Sequence, residues 1–473
     1  MLPTLICQMV NFHDYLAERL IKHGGTVEMQ GPWFSDMDSI ITSDPANIRH
    51  IMSGNFRNYP KGPIMKEIFE PLGPNGIFAV DGESWVFQRK TLQLLIACRR
   101  YRLLMEKAAH DKLENGIFPV LDHLADNESK IVDLQDVFQR FTFDVICMTV
   151  LGYNPSSLNI DLQDVPLAKA FDDIDKGMFE RHVVPETMWK LQRLLGLGAE
   201  KRLAVATERF DKFLYDFISS RREKIVRQQT RMDKEESVDL LTAHIEDDKL
   251  LRDMVINLLA AGRSTIAVAL VWFFWSMANN PRVESKVLAE LAANPPAAHH
   301  SDHSSCRRRQ SRLYREEEVN RLVYLHATVA ETLRLYTPTP MNHKWARETD
   351  VLPSGHRVRA KTRIFVSMYA MGRMKGIWGE DCREFKPERW ITERGGIRGE
   401  IQLVPSHRFA TFNGGPRSCL GKEVSLIQLK IVAAAILWRY KIWVVDGHPV
   451  SVAMSTMLNM KHGLRVWISH RST

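Results

Sequence analysis

The feature that most constrains this chain is a run of helical spacing from Asp248 to Asn280. At 1.5 Å per residue, about 30 residues make a helix roughly 45 Å long. Thr265 to Ala278 is the most apolar stretch of the sequence. A helix of this kind lies in the core of a large protein or in a membrane. Because Arg263 and Ser264 immediately precede the stretch, we predict a buried central helix and no transmembrane span.

The composition is that of a folded globular protein. The chain has 473 residues, of which 45% are hydrophobic and 25% are charged, and this excludes disordered and collagen-like classes. Helical periodicity dominates from Ser84 to Ser220, and strand-like segments are short. We predict a mainly helical α+β fold with small peripheral sheets, formed by one large domain over residues 1–473. The compositionally biased segment 292–312 is predicted to be a surface loop.

Charge and cysteine usage restrict the partners and the compartment. The 64 Lys and Arg residues outnumber the 56 Asp and Glu residues by 8, a mild excess for this length. The one dense basic run, Arg307 to Arg309, lies in the predicted loop, so nucleic-acid binding is not expected. A membrane surface or an acidic protein partner is compatible with the charge. Six scattered cysteines without a C-x-x-C pair favour a reducing compartment.

Four residues of the predicted loop could suggest zinc: His299, His300, His303 and Cys306. They lack a second ligand pair at a standard spacing. We therefore favour a solvated loop over a zinc site.

The most informative segment is the loop Phe412–Gly421, which reads FNGGPRSCLG. It delivers Cys419 to the start of a predicted apolar helix. The helix dipole and nearby N–H groups favour negative charge there, so we expect the pKa of the thiol to fall and a thiolate to form. Gly415 and Gly421 would let a flat ligand approach the backbone, and Arg417 would meet an anionic group of that ligand.

The pattern F-x-x-G-x-R-x-C-x-G in this loop resembles the haem-ligating loop of the cytochrome P-450 family, in which a cysteine thiolate is the proximal iron ligand. The resemblance extends from about Asn11 to the C-terminus and implies a cytochrome P-450-type fold. It implies haem b as cofactor, with Cys419 as the metal ligand. Phe412, Gly415 and Gly421 are then cofactor-binding residues.

A second element concerns Glu331 and Arg334, which share a face of a helix predicted to run from about Glu316 to Tyr336. The resembled family has this E-x-x-R element together with an arginine in a P-E-R element, matched here by Arg389. The resemblance implies that the three side chains form a buried structural network behind the haem, with no catalytic role.

Trp85 and Arg89 lie one helical turn apart. From the residues alone they could be a partly buried tryptophan and a solvated arginine. Beside the cysteine loop they resemble the family's clamp on the haem propionates, to which Arg417 would also donate. His343 or Lys344 would add a further donor.

Gly262 lies midway along the long helix, where glycine costs about 1 kcal/mol relative to alanine and so needs a reason. A close helix–helix contact would be sufficient. The resemblance instead implies that Gly262 opens a groove for dioxygen over the haem and that Thr265 helps to carry protons. Ser264 stands where the family usually has Asp or Glu, so we expect weaker proton delivery and unchanged haem binding.

Several stretches, among them Asp350 to His356, resemble plant hydroxylases of cuticle, suberin and wax metabolism, and most nearly the mid-chain alkane hydroxylases. The resemblance implies hydroxylation of a long-chain aliphatic substrate, an alkane or a fatty acid, with O2. No G-x-G-x-x-G segment follows a predicted strand, so electrons are expected from a partner, the NADPH–cytochrome P-450 reductase. The resemblance also implies a monomer on the cytosolic face of the endoplasmic reticulum membrane, although the N-terminal anchor of relatives is missing. It assigns the substrate pocket to Ile77, Phe78, Ala261, Pro340, Met341 and Leu458.

Two alternatives stay open at this point. A haem-thiolate isomerase or dehydratase would act on hydroperoxides without a reductase, and Ser264 motivates it because such enzymes dispense with the proton relay. The intact spacing of Arg417 and Cys419, together with Thr265, argues against it. A catalytically impaired haem-binding protein is the other alternative.

Overall fold

The computed structural model describes residues 12–31, 37–126, 130–163, 165–229, 245–297, 313–392 and 399–471. Helices dominate this part of the chain. The α-helices are α1 (Phe12–Lys22), α2 (Pro45–Arg49), α3 (Pro63–Ile68), α4 (Gly82–Ala97), α5 (Arg99–Lys112), α6 (Phe118–Ala125), α7 (Leu134–Val150), α8 (Pro166–Val183), α9 (Glu186–Leu195), α10 (Gly198–Gln229), α11 (Asp248–Asn279), α12 (Pro281–Ala293), α13 (Glu316–Val319), α14 (Val323–Leu335), α15 (Met368–Met371), α16 (Lys375–Trp378) and α17 (Lys422–Arg439).

The strands are short and peripheral. They are β1 (Thr26–Met29), β2 (Ser39–Thr42), β3 (Val132–Asp133), β4 (Met341–Trp345), β5 (Asp350–Val351), β6 (Arg357–Val358), β7 (Arg363–Ser367), β8 (Ile391–Thr392), β9 (Glu400–Ile401), β10 (Tyr440–Val444) and β11 (Arg465–His470). Between α16 and α17 the described residues form only β8, β9 and two short 3-10 segments, Pro387–Trp390 and Gly415–Arg417.

The long helix α11 lies in the centre of the molecule, as predicted. It begins where the Asp247 carboxylate accepts hydrogen bonds from the backbone N–H groups of Lys249 and Leu250. It packs against α7, α10, α14 and α17, and Phe274 stacks on Phe138 of α7 with ring centroids 5.4 Å apart. Although α11 is long and apolar enough to span a membrane, 78% of its most apolar window is buried inside the protein, as in a core helix.

The largest sheet has the order β1-β2-β7-β4. β2 and β7 run parallel, whereas β1 with β2 and β4 with β7 are antiparallel. The N–H of Trp345 donates to the Pro60 carbonyl at 3.0 Å, so the end of β4 is tied to the segment before α3. Lys61 extends this link, because its N–H donates to the Asp81 carboxylate before α4 at 3.0 Å and its Nζ donates to Asn342 of β4 at 3.1 Å.

One predicted helix is wrong in its continuity, whereas other helices have ordinary starts, such as α2, which is capped by Asp44 with Pro45 at its first position. The segment Glu316–Tyr336 forms two helices, α13 and α14, instead of one. The carboxylate of Glu290 on α12 accepts hydrogen bonds from the Tyr324 and Leu325 N–H groups at 2.8 Å, and this tertiary cap starts a new helix.

The predicted surface loop 292–312 is described only at its start, where α12 continues to Ala293. Residues 298–312 lie outside the described residues. They include the basic run and the four residues weighed as zinc ligands.

Candidate functional site

The loop Phe412–Gly421 has a backbone that this sequence can adopt at little cost. Asn413 and Gly415 have positive φ angles of 61° each, which asparagine tolerates and glycine adopts freely. A Cβ at Gly415 would overlap the backbone oxygen of Met52, so only glycine fits there. The Cys419 N–H donates to the Phe412 carbonyl at 2.8 Å and closes the loop. Gly415 therefore serves a close backbone–backbone approach to Met52, and its contact with a flat ligand stays a prediction.

The thiol of Cys419 is solvent-exposed, and helix α17 begins three residues later. A Cβ at Gly421 would have the Cys419 sulfur, 3.9 Å away, as its nearest neighbour, so space beside the thiol is open. The expected fall in the thiol pKa is wrong for the protein alone. Protein atoms around this recess raise the pKa, and the Gly421 N–H, Arg89 and Lys422 only oppose that rise. A metal ion deprotonates a thiol that coordinates it.

Arg417 lies in a buried cationic cluster at the edge of this recess. Its guanidinium donates to the Asp81 carboxylate at 2.6 Å and to the Val80 carbonyl at 2.7 Å. Its Nε is buried without a hydrogen-bond partner among the described residues. Burial and the nearby Arg417 lower the pKa of Lys61 to about 7, and burial holds the pKa of Lys344 well below its usual range.

This cluster fits the haem that the resemblance implies. Arg417, Lys61 and Lys344 face one another around a single carboxylate, Asp81. Two additional carboxylates, the number a haem carries, would balance the cations and supply an acceptor for the unpaired Nε of Arg417. β4 alternates its side chains, so Lys344 joins the cluster whereas His343 stacks on Phe365 at 4.9 Å.

Trp85 and Arg89 lie beside this cluster. The Trp85 ring is buried between two guanidinium groups, with Arg417 4.7 Å and Arg89 5.8 Å from its centroid. Arg89 donates to the Ser418 carbonyl at 2.9 Å and to its hydroxyl at 3.2 Å. The structure thus brings Trp85, Arg89, Arg417 and Cys419 together in one recess.

The structure also brings Glu331, Arg334 and Arg389 together. The Arg334 guanidinium binds both oxygens of the Glu331 carboxylate at 2.7 Å, and Arg389 donates to the same carboxylate at 2.9 Å. Arg334 further donates to the Cys382 carbonyl at 2.6 Å. Trp390 completes the set through its Nε1, 2.9 Å from Glu331. The network fastens the coil that follows α16 to helix α14.

The middle of α11 is the part of this helix that stays accessible. Ala261 is exposed, and Gly262, Ser264 and Thr265 are partly exposed, although most of the helix around them is buried. The Thr265 hydroxyl donates to the Ala261 carbonyl at 2.7 Å. Hydroxyl oxygens on an open face can accept and relay protons.

Gly262 has a different role from the one expected from the resemblance. A Cβ at this position would overlap the side chain of Ile146 on α7. The missing side chain therefore allows two core helices to approach, as the alternative of a close helix–helix contact predicts. The dioxygen groove stays a prediction.

Four of the six predicted pocket residues have accessible surface. Ala261 is exposed, and Ile77, Phe78 and Met341 are half-buried. Pro340 and Leu458 are buried in the protein alone, and their assignment to the pocket stays a prediction. Leu458 is fixed by its backbone, because its carbonyl accepts from Trp272 Nε1 at 2.7 Å and its side chain fills the core.

Sequence reasoning missed the residues that hold the pocket loop 70–81. Asp253 of α11 accepts from the Asn75 N–H at 3.0 Å, and Asn257, one turn further, accepts from the Phe78 N–H at 3.1 Å. Two polar residues four positions apart share one face of an otherwise apolar helix, and this pattern could have predicted a polar contact there. Lys61 and Asp81 carried no such signal, because their meeting depends on the tertiary structure.

No group of three or more His, Cys, Asp or Glu side chains suited to a metal ion occurs among the residues that the structure describes. The described residues thus offer Cys419 no cluster of further protein ligands.

Comparisons with known proteins agree on the family of the site. A family model described as Cytochrome P450 matches residues 8–465. Noroxomaritidine synthase of Narcissus aff. pseudonarcissus MK-2014 is 42% identical over 100% of this chain and 90% of its own. Alkane hydroxylase MAH1 and cytochrome P450 86B1 of Arabidopsis thaliana are 39% and 37% identical over 100% of this chain, and over 92% and 84% of their own. A crystal structure of a cytochrome P450 (CYP102L1) has a TM-score of 0.77 over 97% of this chain and 98% of its own, at 20% identity, and so shares the fold.

Proposed function

The chain belongs to the cytochrome P450 family, whose members are haem-thiolate monooxygenases that use O2 and reductase-derived electrons, and we propose that this one hydroxylates a C–H bond of a long-chain aliphatic substrate. The observation that carries the proposal is the exposed thiol of Cys419 beside a cationic recess, on a loop whose backbone is fixed by other contacts. When bound there, the haem supplies oxygen activation, and the thiolate favours O–O cleavage.

The residues of the recess would bind and orient the cofactor. Cys419 would bind its iron through the thiolate, and Arg417, with Lys61 and Lys344, would bind its carboxylates. Trp85 and Arg89 would border it, while Phe412 and Gly421 would shape its proximal surface. The network of Glu331, Arg334 and Arg389 would act on this site only by holding the coil behind it.

On the opposite side, Thr265 and Ser264 would handle protons. Both are partly exposed on the open stretch of α11. A serine hydroxyl can pass a proton only as a link between other donors, whereas the usual carboxylate can take one from solvent. We therefore propose that oxygen activation proceeds with lower efficiency than in relatives that have the acid. The same serine is the observation that favours the second candidate, a hydroperoxide isomerase or dehydratase.

The long-chain aliphatic class, alkane or fatty acid, is supported by likeness to an alkane hydroxylase and by the apolar side chains of Ile77, Phe78 and Met341. Likeness to noroxomaritidine synthases at 41–42% identity does not favour the same class. The substrate is therefore the part of the proposal that needs a direct test.

We propose that the protein works at a membrane surface, on the cytosolic face of the endoplasmic reticulum, with NADPH–cytochrome P450 reductase as its partner. Helix α9 and the turn after it carry a group of exposed apolar side chains: Met188, Leu191, Leu194, Leu195 and Leu197. Such a face can lie in the interfacial region of a bilayer. The net charge of +8 is compatible with an acidic reductase and an anionic surface.

The first experiment asks whether the haem-thiolate site exists. The purified holoprotein is reduced and exposed to carbon monoxide, and a red-shifted Soret band typical of a thiolate ligand is expected. Cys419→Ala should lose the band, and Cys98→Ala, which changes a cysteine outside the recess, should keep it. A band that survives in Cys419→Ala would contradict the proposal.

The second experiment separates the candidate reactions. Long-chain alkanes and fatty acids are incubated with NADPH and reductase, and oxygenated products are measured by mass spectrometry. Product that depends on reductase supports hydroxylation. Conversion of a fatty-acid hydroperoxide without reductase, with no reductase-dependent product, would favour the isomerase, and a carbon monoxide band without either product would indicate an impaired protein.

A further inference from the structure

Asp175 is a carboxylate in the interior that the proposed reaction does not use. It lies on α8, seven residues before His182, so both side chains lie on the same side of the helix, at the edge of its buried face. The ring of His182 contacts Phe69 and His343, each with centroids 6.2 Å apart, and so faces the pocket loop and β4. Asp175 is therefore placed along the same inner side of α8.

The elements packed around Asp175 are those that border the predicted pocket. The Thr456 hydroxyl donates to Asp175 Oδ1 from the segment between β10 and β11, two residues before Leu458. Arg263, next to Ser264 on α11, is close enough to lower the pKa of Asp175. The carboxylate thus lies between α8, α11 and this segment.

One oxygen of this carboxylate has no protein partner among the described residues. In the described part of the chain no hydrogen bond or ion pair involves Asp175 Oδ2, and the side chain keeps part of its surface accessible. Protein encloses it closely enough for burial to raise its pKa. An enclosed carboxylate with a free oxygen is stabilised by a donor, and most strongly by a cation.

The charged side chains nearby determine whether a cation or an anion is favoured next to this oxygen. Arg263 pairs with Asp172 at 2.6 Å, and Asp172 itself raises the pKa of Asp175. One guanidinium therefore serves two carboxylates. The excess of negative charge favours a cationic group and disfavours a carboxylate at this position.

We propose that Asp175 is a specificity-determining residue that binds a cationic amine group on an otherwise apolar substrate. This inference rests on the proposed monooxygenase function, and within the long-chain aliphatic class it favours an aliphatic amine over an alkane or a fatty acid. The apolar body would contact Phe78 and Met341, and the charged end would lie at Asp175, away from Cys419. A fatty-acid carboxylate at the same place would be repelled.

The test compares ligands of one chain length and three charges. Decyltrimethylammonium, decan-1-ol and decanoate, below their micellar concentrations, are titrated into the holoprotein, and the dissociation constant is measured by equilibrium dialysis and by the Soret shift. The quaternary ammonium cannot ligate iron, so its binding reports charge recognition. We expect the cation to bind at least about tenfold more tightly than decanoate.

Variants assign the preference to one side chain. Asp175→Asn should weaken binding of the ammonium by about tenfold or more and change binding of decanol by less than about threefold. Asp175→Glu should retain the preference for the cation, and Asp173→Asn, a matched change on the same helix, should leave all three constants unchanged. Circular dichroism and the carbon monoxide band check that each variant folds and binds haem.

Three outcomes would overturn the proposal. They are an unchanged ammonium constant in Asp175→Asn, an equal loss for all three ligands, and tighter binding of decanoate than of ammonium in the unchanged protein. Absence of the carbon monoxide band in the unchanged protein would instead refute the haem-thiolate function, and dialysis would still report whether Asp175 binds the cation.

Discussion

In the proposed function the cysteine loop and the open stretch of α11 lie on two sides of one site, and the two regions are built in opposite ways. In the loop, Gly415 is fixed against Met52, and Cys419 is held by its own backbone hydrogen bond to Phe412. On α11, Ala261 and Thr265 have open surroundings and share one local hydrogen bond. Contacts within the protein determine the conformation of the loop, whereas the surroundings of the open stretch depend on what occupies the space in front of it.

This contrast explains where the sequence can vary. A change in the loop alters backbone geometry or leaves a buried charge unpaired, so it affects folding. A change such as serine for an acid at position 264 leaves the helix intact and alters only chemistry. We call the cysteine loop the proximal side and the open stretch of α11 the distal side. Variants of the proximal side should therefore lose stability, whereas variants of the distal side should change only turnover.

The largest effect is expected behind the loop, at Glu331. Glu331→Gln leaves the fully buried Arg334 without a full counter-charge. We expect the free energy of unfolding to fall by about 3–5 kcal/mol, measured by urea denaturation of the holoprotein. Glu317→Gln, an exposed change two positions into α13, should shift it by less than about 0.5 kcal/mol. Equal curves for both variants would show that the network does not determine the proximal side.

The next largest effect is expected at Gly415. Alanine there would overlap the Met52 backbone and adopt a positive φ, so we expect a loss of about 3 kcal/mol together with weaker haem retention. Gly447→Ala is the matched control, because its φ is +69° and a Cβ there meets nothing within 4 Å. It should cost about 1 kcal/mol. If the two variants lose the same stability, strain rather than the close approach explains Gly415.

A third prediction concerns the pH dependence caused by Lys61. Its pKa falls from 10.5 in the unfolded chain to about 7 in the haem-free fold, so between those values the unfolded chain binds the extra proton and stability rises with pH. Below about pH 7 both states are protonated and the penalty is complete. Lys61→Met should abolish a gain of roughly 1.4 kcal/mol per pH unit, or about 2–3 kcal/mol from pH 7 to 9.

The comparison is made by urea denaturation of the haem-free protein, with the exposed Lys66→Met as control. In the holoprotein the cofactor carboxylates should raise the pKa of Lys61 and remove the difference. A slope that persists after haem binding would contradict the assignment of this cluster to the carboxylates.

The smallest effect is expected on the distal side. Ser264→Asp should raise product formed per NADPH consumed by about tenfold, because a carboxylate can take protons from solvent. Ser264→Asn has a similar size without the acid and should stay at the level of the unchanged protein. Both variants should keep the urea midpoint. A shift in that midpoint would show that the open stretch of α11 is not as free as its exposure suggests.

The sequence predicts the proximal side well because that side is encoded locally. Ten consecutive residues contain the spacing of Cys419 and Arg417, and the pairing of Glu331 with Arg334 follows from one helical turn. The same reasoning predicts the central helix from its apolar length. Each of these features depends on neighbours in sequence.

What could not be predicted depends on contacts between distant segments. Lys61 and Asp175 each carry a charge in an ordinary polar context, and only the fold buries them. Gly262 packs on Ile146 and Leu458 fills the core for the same reason. The break between α13 and α14 follows from a glutamate some thirty positions earlier, which no local pattern indicates.

Helix α11 carries more than the residues proposed to handle protons. Asp253 and Asn257 bind the loop before α4, and Trp272 binds the segment around Leu458. Thr265 lies between them in sequence, in the open stretch. These attachment points are spaced along one rigid rod at 1.5 Å per residue. The segments proposed to border the pocket and the residues proposed to handle protons are therefore attached to the same rigid helix. Side chains on those segments can be exchanged to change the substrate, and the distance between the segments and Thr265 should stay constant.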